Sequence, residues 1–208
     1  MNEFVLATRN GKKLDELRRI LDAEGITGLR VLGLEELESR GVPAIPETQE
    51  TEATFEGNAV AKAVDVARAS GLPAVADDSG LEVDALNGMP GVLSARWAGK
   101  HGDDGANLEL VLGQLSDVPD ERRGAAFVCA TALVTPDGTE TVVRGEWRGT
   151  LTREPRGTAG FGYDPIFLPE GQSRTAAELD PQEKDADSHR GRALRLLLPG
   201  LRGARESG

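Results

Sequence analysis

The sequence is poor in cysteine, histidine and aromatic residues, and each shortage excludes a class of site. Its 208 residues include one cysteine, Cys129, and two histidines, His101 and His189. One cysteine cannot form an intrachain disulfide, and so few sulfur and imidazole ligands argue against a zinc centre. Oxygen ligands would therefore hold any metal, which favours Mg²⁺, Mn²⁺ or Ca²⁺. Aromatic residues make up only 4% of the chain, so aliphatic side chains must fill the core.

Basic residues are scarce as well, and long apolar runs are lacking. Lys and Arg number 24 against 35 Asp and Glu, which gives a net charge of −11. This balance argues against a nucleic-acid polymer as partner, because neutralising its phosphates needs many protein cations. No apolar run approaches the roughly 18–20 residues of a membrane span, and no basic-then-apolar leader opens the chain. The composition predicts a cytoplasmic globular protein with no membrane partner.

The pattern of apolar segments predicts an α/β protein. Residues 4–7 are typical of a buried strand, and a polar turn and a helix over 14–21 follow. A second strand is expected at 29–34, and a further short one at 74–76. The β-rich runs 125–134 and 140–147 flank Pro-Asp-Gly, a strong hairpin signal.

The chain shows no repeat, low-complexity tract or linker. It therefore predicts one domain over residues 1–202, with a β-rich second lobe around 120–165 and a flexible tail at 203–208. Residues 35–54, rich in Glu and Thr, predict an exposed loop with short structure at best. The last helix is expected to end at Pro199.

Residues 8–13, Thr-Arg-Asn-Gly-Lys-Lys, form a polar loop between a strand and a helix. The backbone N–H groups and the positive end of that helix would suit a phosphate, and Lys12 or Lys13 could add a cation. An ordinary helix start with solvated lysines fits the spacing alone somewhat better.

Asp77 and Asp78 follow a predicted strand, at the position where α/β sheets usually bind ligands. Successive strand side chains point to opposite faces, so one carboxylate could face a site while the other supports it. A facing carboxylate could hold Mg²⁺, and the acidic loop 47–52 could supply a second. The alternatives are an Asx-type turn and a solvated charge run.

Two further segments could bind a flat, anionic ligand. Glycines over 157–162 would let the backbone approach closely, and Phe161 offers a stacking face. Lys184 and Ser188-His189-Arg190, at the start of the last helix, could clamp an anion. The alternatives are a glycine loop without a ligand and a helix capped by Ser188.

Together these segments resemble one family. The motifs that carry the resemblance appear in family order: Thr8-x-Asn10-x-x-Lys13, Phe55-x-x-Asn58-Ala59 with Lys62, Ala76-Asp77-Asp78-Ser79-Gly80, Pro90-Gly91-x-x-Ser94-Ala95-Arg96, Gly160-Phe161-Gly162-Tyr163-Asp164-Pro165 and Ser188-His189-Arg190. The chain resembles the Ham1/inosine triphosphate pyrophosphatase family from residue 4 to about residue 201.

The resemblance implies an elongated, two-lobed, ITPase-like α/β fold with a mixed twisted sheet flanked by helices, and a homodimer. It also implies Mg²⁺-dependent hydrolysis of non-canonical purine nucleoside triphosphates (dITP, ITP, XTP and dXTP). The products are the nucleoside monophosphate and pyrophosphate, and the reaction keeps these nucleotides out of DNA and RNA.

The resemblance also implies the roles of individual residues. Glu50 and Asp78 would hold the metal, with Glu47 and Glu52 as neighbouring alternatives to Glu50. Asp78 would also be the catalytic base, a role that Asp77 could share. The implied substrate-binding residues are Thr8, Arg9, Asn10, Gly11, Lys12, Lys13, Lys62, Ser79, Phe161, Gly162, Tyr163, Asp164, Lys184, His189 and Arg190. Arg9 stands where many members have glycine.

Base selectivity has a physical interpretation. Hypoxanthine and xanthine present a 6-oxo acceptor beside an N1–H donor, whereas adenine presents the reverse pattern. We expect Arg190 to donate a hydrogen bond to O6 of the purine, and Asp164 or loop carbonyls to accept one from its N1–H. Two other functions remain open: a pyrophosphatase for another modified nucleotide, and a nucleotide-binding regulator without turnover. The paired carboxylates argue against the regulator.

Overall fold

A computed structural model describes residues 3–26 and 28–206, with only the backbone at Lys12, Asp185 and 203–206. The strands in this part of the chain are β1 (Glu3–Leu6), β2 (Arg30–Leu32), β3 (Ala74–Val83), β4 (Gly124–Val134), β5 (Glu140–Leu151) and β6 (Phe167–Pro169). The α-helices are α1 (Gly11–Ala23), α2 (Leu34–Ser39), α3 (Phe55–Ser70), α4 (Asp104–Gln114), α5 (Pro181–Asp187) and α6 (His189–Glu206).

The strands form one six-stranded sheet in the order β2-β1-β3-β4-β5-β6. β1 pairs in parallel with both β2 and β3, whereas β5 and β6 are antiparallel. The predicted α/β class with a mixed sheet is therefore confirmed. Among the described helices, none combines the length and the apolar character needed to cross a membrane.

β3 corrects one interpretation of the sequence. The strand does not end in an Asx turn at Asp77 and Asp78, but continues through both to Val83. Leu81 and Val83 are fully buried beyond the acidic pair, so the sheet continues to gain apolar burial there. The turn interpretation was wrong because local turn preference competes with this long-range packing.

α6 corrects a second prediction, since it does not end at Pro199 but continues to Glu206. Leu197 and Leu198 before the proline and Leu201 after it are all buried in one apolar cluster. Tertiary packing of this face thus outweighs the cost of a proline inside the helix. Of the predicted tail, residues 207–208 and the side chains of 203–206 lie outside the described part of the chain.

The chain divides into two compact units. Unit 1 comprises Met1–Asp78, Cys129–Gly145 and Gly191–Gly208, and unit 2 comprises Ser79–Val128 and Glu146–Arg190. The apolar cluster of unit 1 takes residues from α1, β1 and α6. The cluster of unit 2 takes residues from β4, β5 and α4, and includes four of the chain's eight aromatic side chains.

Two chemically distinctive buried residues are Arg123, just before β4, and Cys129 within it. The Arg123 guanidinium is 2% exposed and donates to the carbonyls of Leu151, Leu115 and Thr152 at 2.8, 2.7 and 2.9 Å. Burial lowers its pKa, and the charge of Arg153 adds to the effect. Cys129 is fully buried within β4.

Candidate functional site

Asp77 and Asp78 are consecutive residues of β3 with different partners. The Nζ of Lys13, from the first turn of α1, lies 3.0 and 2.9 Å from the two carboxylate oxygens of Asp77. Asp78 instead contacts side chains of α3. The two carboxylates therefore contact different elements, because successive strand side chains point to opposite faces.

Asp78 is a buried carboxylate held by two donors. The Nδ2 of Asn58 donates to its Oδ2 at 2.9 Å, and the Nζ of Lys62 donates to its Oδ1 at 3.1 Å. Burial raises the pKa of Asp78, and the charge of Glu50 raises it further, whereas Lys62 and Asn58 lower it. The net effect leaves the Asp78 pKa above its ordinary value, as expected where desolvation dominates.

Lys62 lies between two carboxylates. Its Nζ contacts Glu50 Oε1 at 2.6 Å as well as Asp78 Oδ1 at 3.1 Å. Burial lowers the pKa of Lys62, but the charge of Asp78 and the hydrogen bond to Glu50 outweigh this, so the net pKa is raised. The acidic loop before α3 therefore directs Glu50 to the same cation as Asp78.

α3 supports this arrangement through its N-terminal turn. Thr54 caps the helix by accepting from the backbone N of Gly57 at 3.1 Å. Asn58 Oδ1 accepts from the backbone N of Glu52 at 3.0 Å. A Cβ at Gly57 would lie 2.8 Å from the Cβ of Glu52, so only glycine permits this close approach of the acidic loop.

The predicted phosphate loop forms a tight turn into α1. The Oγ1 of Thr8 accepts from the backbone N of Asn10 at 3.1 Å. The carbonyl of Asn10 accepts from the backbone N of Lys13 at 3.1 Å and of Leu14 at 3.3 Å. α1 begins at Gly11, so the N–H groups and positive dipole of its first turn would favour an anion here.

Arg9, in the predicted phosphate loop, contacts residues outside that loop. The guanidinium of Arg9 donates to Glu38 Oε1 at 2.9 Å and to the carbonyl of Ile45 at 3.1 Å. Its charge is thus partly engaged by α2 and the segment after it, which gives the arginine a structural role at this position. The side chain of Lys12 lies outside the described part of the chain.

In unit 2, the loop 160–164 is organised around the buried side chain of Asp164. Its Oδ2 accepts from the backbone N of Phe161 at 2.9 Å and from the Nζ of Lys184. That Nζ also lies 5.3 Å from the centroid of the Phe161 ring. A Cβ at Gly160 would lie 2.0 Å from Asp164 Oδ2, so this turn requires glycine.

Two further contacts hold the same loop. The backbone N of Gly162 donates to Asp104 Oδ2 at 2.8 Å, and the hydroxyl of Tyr163 donates to the carbonyl of Ser94 at 2.8 Å. Burial raises the pKa of Tyr163, and the nearby charge of Asp104 adds to this. The sequence interpretation missed Asp104, whose only signal is a pair of aspartates at the start of a helix.

The exposure of the predicted residues in unit 2 divides them by role. Phe161 is 65% exposed, and Lys184, Arg190 and Ser79 are half-buried, so a ligand can contact them. Three others are at most 8% exposed, so they are suited to hold neighbouring residues in place and not to contact a ligand: Asp164, Tyr163 and His189. The His189 ring stacks on Phe127, with centroids 5.1 Å apart.

The predicted site residues numbered up to 78 thus lie in unit 1, and those from 79 onward lie in unit 2. Unit 1 supplies carboxylates, lysines and a helix N-terminus, a combination suited to a metal-bound polyphosphate. Unit 2 supplies an exposed aromatic ring beside a cation, which suits a flat base. The fold and these groups define a nucleotide-processing α/β protein.

Comparison with known proteins places the chain in a family. Residues 4–200 match the Ham1 family, and the chain belongs to it. It is 65% identical over 201 residues to a "dITP/XTP pyrophosphatase" of Nocardia farcinica, covering 97% of this chain and 95% of the relative. It is 64% identical over 202 residues to the protein of that name from Mycobacterium tuberculosis H37Rv, covering 97% and 96%.

Solved structures show the same fold. A "Nucleoside-triphosphatase / dITP/XTP pyrophosphatase" from Mycobacterium abscessus superposes with a TM-score of 0.78 at 60% identity, covering 96% of this chain and 99% of that chain. A HAM1 protein from Coxiella burnetii superposes with a TM-score of 0.87 at 43% identity, covering 98% and 100%. The family predicted from the motifs is therefore confirmed.

Proposed function

We propose that this protein is a nucleoside triphosphate pyrophosphatase that converts dITP, ITP, XTP and dXTP to the monophosphate and pyrophosphate. One observation carries the proposal. Glu50 and Asp78 converge on the single ammonium of Lys62, in a chain whose relatives at 56–65% identity are named dITP/XTP pyrophosphatases. The reaction would keep deaminated purines out of DNA and RNA.

The carboxylates fit Mg²⁺. Glu50 and Asp78 already share one cation, Lys62, and both offer the hard oxygen ligands that Mg²⁺ prefers. No group of three or more metal-binding side chains occurs among the described residues. A pair of carboxylates suits Mg²⁺, which takes one or two protein carboxylates and completes its shell with phosphates and water. Bound there, Mg²⁺ would neutralise charge on the phosphates.

The remaining residues of unit 1 would hold the phosphates and the attacking water. Lys13, Lys62 and the first turn of α1 supply positive charge for the triphosphate. Asp78 would orient water and accept its proton, since Asn58 and Lys62 hold its carboxylate in one orientation. Asp77 suits this role less well, because both of its oxygens contact Lys13.

In unit 2, Phe161 would stack on the purine and Arg190 would donate to O6. Asp164 is 2% exposed and its Oδ2 already accepts twice. We therefore assign acceptance of the N1–H to loop carbonyls, with Asp164 holding the loop. Adenine would leave these groups unpaired, so we expect adenine nucleotides to be rejected. Guanine shares the 6-oxo pattern, so its 2-amino group must be the feature rejected.

Pyrophosphate release from dITP, XTP, GTP and ATP, measured with Mg²⁺ and with EDTA, tests the function. We expect turnover of dITP and XTP with Mg²⁺ alone, and little turnover of GTP or ATP. Comparable rates with dGTP and dITP would refute the selectivity, and turnover of some other modified nucleotide alone would indicate the runner-up pyrophosphatase. Binding without release would indicate a regulator.

Asp78→Asn tests the catalytic assignment, with Asp77→Asn as the neighbouring control. We expect Asp78→Asn to abolish turnover while circular dichroism shows an intact fold, and Asp77→Asn to retain a measurable rate. A fully active Asp78→Asn protein would overturn the assignment.

We also propose that the protein is a cytoplasmic homodimer that binds no nucleic-acid polymer. Light scattering with the purified protein would measure its mass and so test the homodimer.

A further inference from the structure

We infer that Asp104, which lies outside every motif of the site, is a positioning residue that fixes the loop 160–163 for purine binding. The inference rests on the proposed function and deepens it. Asp104 Oδ2 accepts from the backbone N of Gly162 at 2.8 Å, across 58 positions of sequence. The contact lies next to Phe161, the exposed ring to which the base is assigned.

The loop needs external support because its backbone is intrinsically adaptable. Gly160 and Gly162 have φ values of +78° and +61°. Glycine adopts these left-handed conformations readily, but it adopts many other backbone conformations as well. The consecutive backbone N–H groups of Phe161 and Gly162 donate to two different carboxylates, those of Asp164 within the loop and Asp104 on α4. Asp164 secures the first and Asp104 the second, so together they select one loop conformation.

Asp104 is held in place by α4, a helix that packs against the core of unit 2. Asp103 is the N-cap of α4 and accepts from the backbone N of Ala106 at 3.3 Å, so capping does not require Asp104. Leu108 and Val111 bury the helix in the core of unit 2. The Asp104 carboxylate is therefore held by a packed helix while it contacts the loop.

Without the Asp104 contact, the loop would have to become ordered when the nucleotide binds, which would weaken binding. A base stacks well only if the Phe161 ring is already oriented, and a released loop must be ordered each time a nucleotide binds. We expect Asp104→Ala to raise the KM for dITP about tenfold, since ordering a few groups costs about a factor of ten in affinity. The kcat should stay within about twofold, because the phosphate-binding residues are untouched.

Three variants separate this role from general stability. Asp104→Ala removes the acceptor, Asp104→Asn restores an acceptor oxygen, and Asp103→Ala removes the helix cap beside it. We expect Asp104→Asn to recover most of the wild-type KM. Asp103→Ala should lower the melting temperature and leave the KM unchanged. Hydrogen exchange in a peptide spanning 157–166 should be faster in Asp104→Ala alone.

An unchanged KM and unchanged exchange in Asp104→Ala would overturn the inference. Equal increases in KM for Asp103→Ala and Asp104→Ala would also overturn it, because they would indicate helix stability as the cause. If the wild-type protein does not hydrolyse dITP, the proposed function fails. The exchange measurement would still report whether Asp104 holds the loop, so the two failures are distinguishable.

Discussion

Asn58 connects Asp78 to the acidic loop through both ends of one amide. Its Nδ2 donates to Asp78 Oδ2 at 2.9 Å, while its Oδ1 accepts from the backbone N of Glu52 at 3.0 Å. The two contacts fix the orientation of the amide, because only the oxygen can accept and only the nitrogen can donate. One buried side chain thereby sets the spacing between β3 and the segment that carries Glu50.

Asn58→Leu should therefore lower both stability and turnover. The variant keeps a side chain of similar size but leaves a buried carboxylate short of one donor, at a cost of about 1–3 kcal/mol in the free energy of unfolding. We expect kcat for dITP to fall, because Asp78 loses a fixed orientation. Urea unfolding and pyrophosphate release measure the two effects.

Asn107→Leu is the matched control for Asn58→Leu. Asn107 is a buried asparagine of α4 that accepts from the backbone N of Ala98 at 2.7 Å and donates to the carbonyl of Ala95 at 3.2 Å. We expect a similar loss of stability with kcat retained at saturating substrate. A kcat that falls equally in both variants would contradict a specific role for Asn58.

Gly57→Ala should displace the acidic loop while leaving α3 folded. The new Cβ would lie 2.8 Å from the Cβ of Glu52, so the segment carrying Glu50 must shift. We expect a higher Mg²⁺ concentration for half-maximal turnover. Gly105→Ala in α4 is the control, since no atom lies within 4 Å of its Cβ position. That substitution should stabilise by up to about 1 kcal/mol and leave the Mg²⁺ dependence unchanged.

Lys62 should make stability fall at alkaline pH. Its pKa in the folded protein lies above the ordinary value of 10.5, because its contacts with Asp78 and Glu50 outweigh its burial. The resulting stabilisation is fully present below pH 10.5 and is lost as the pH rises through the folded-state pKa. On raising the pH from neutral, the difference in unfolding free energy between wild type and Lys62→Met should therefore begin to shrink only above that pH. A difference that shrinks between neutral pH and pH 10.5 would contradict the assignment.

Gly160→Ala should be far more damaging than Gly162→Ala. Both glycines have positive φ, so each substitution strains the backbone by about 1 kcal/mol. At Gly160 the new Cβ would also clash with Asp164 Oδ2 at 2.0 Å. At Gly162 no other atom lies within 4 Å of the new Cβ position. We expect a much larger KM increase for dITP in Gly160→Ala. Similar KM values for the two variants would contradict the role of Asp164 as the loop's support.

The local parts of the site could be predicted from sequence. The strand-to-helix loop at Thr8–Lys13 and the opposed side chains of Asp77 and Asp78 follow from short-range geometry. The contacts of Arg9 with Glu38 and of Asp104 with Gly162 could not be predicted, since they join residues 29 and 58 positions apart. The length of β3 escaped prediction for the same reason, because burial beyond Asp78 comes from other segments.

Cys129 is buried in the sheet, so the reactivity of its thiol reports how often β4 becomes exposed to solvent. A thiol reagent in solution can label it only when β4 becomes exposed, since the side chain is 0% accessible and the chain has no other sulfhydryl. The labelling rate, followed with and without nucleotide, would thus measure how tightly ligand locks the strands together.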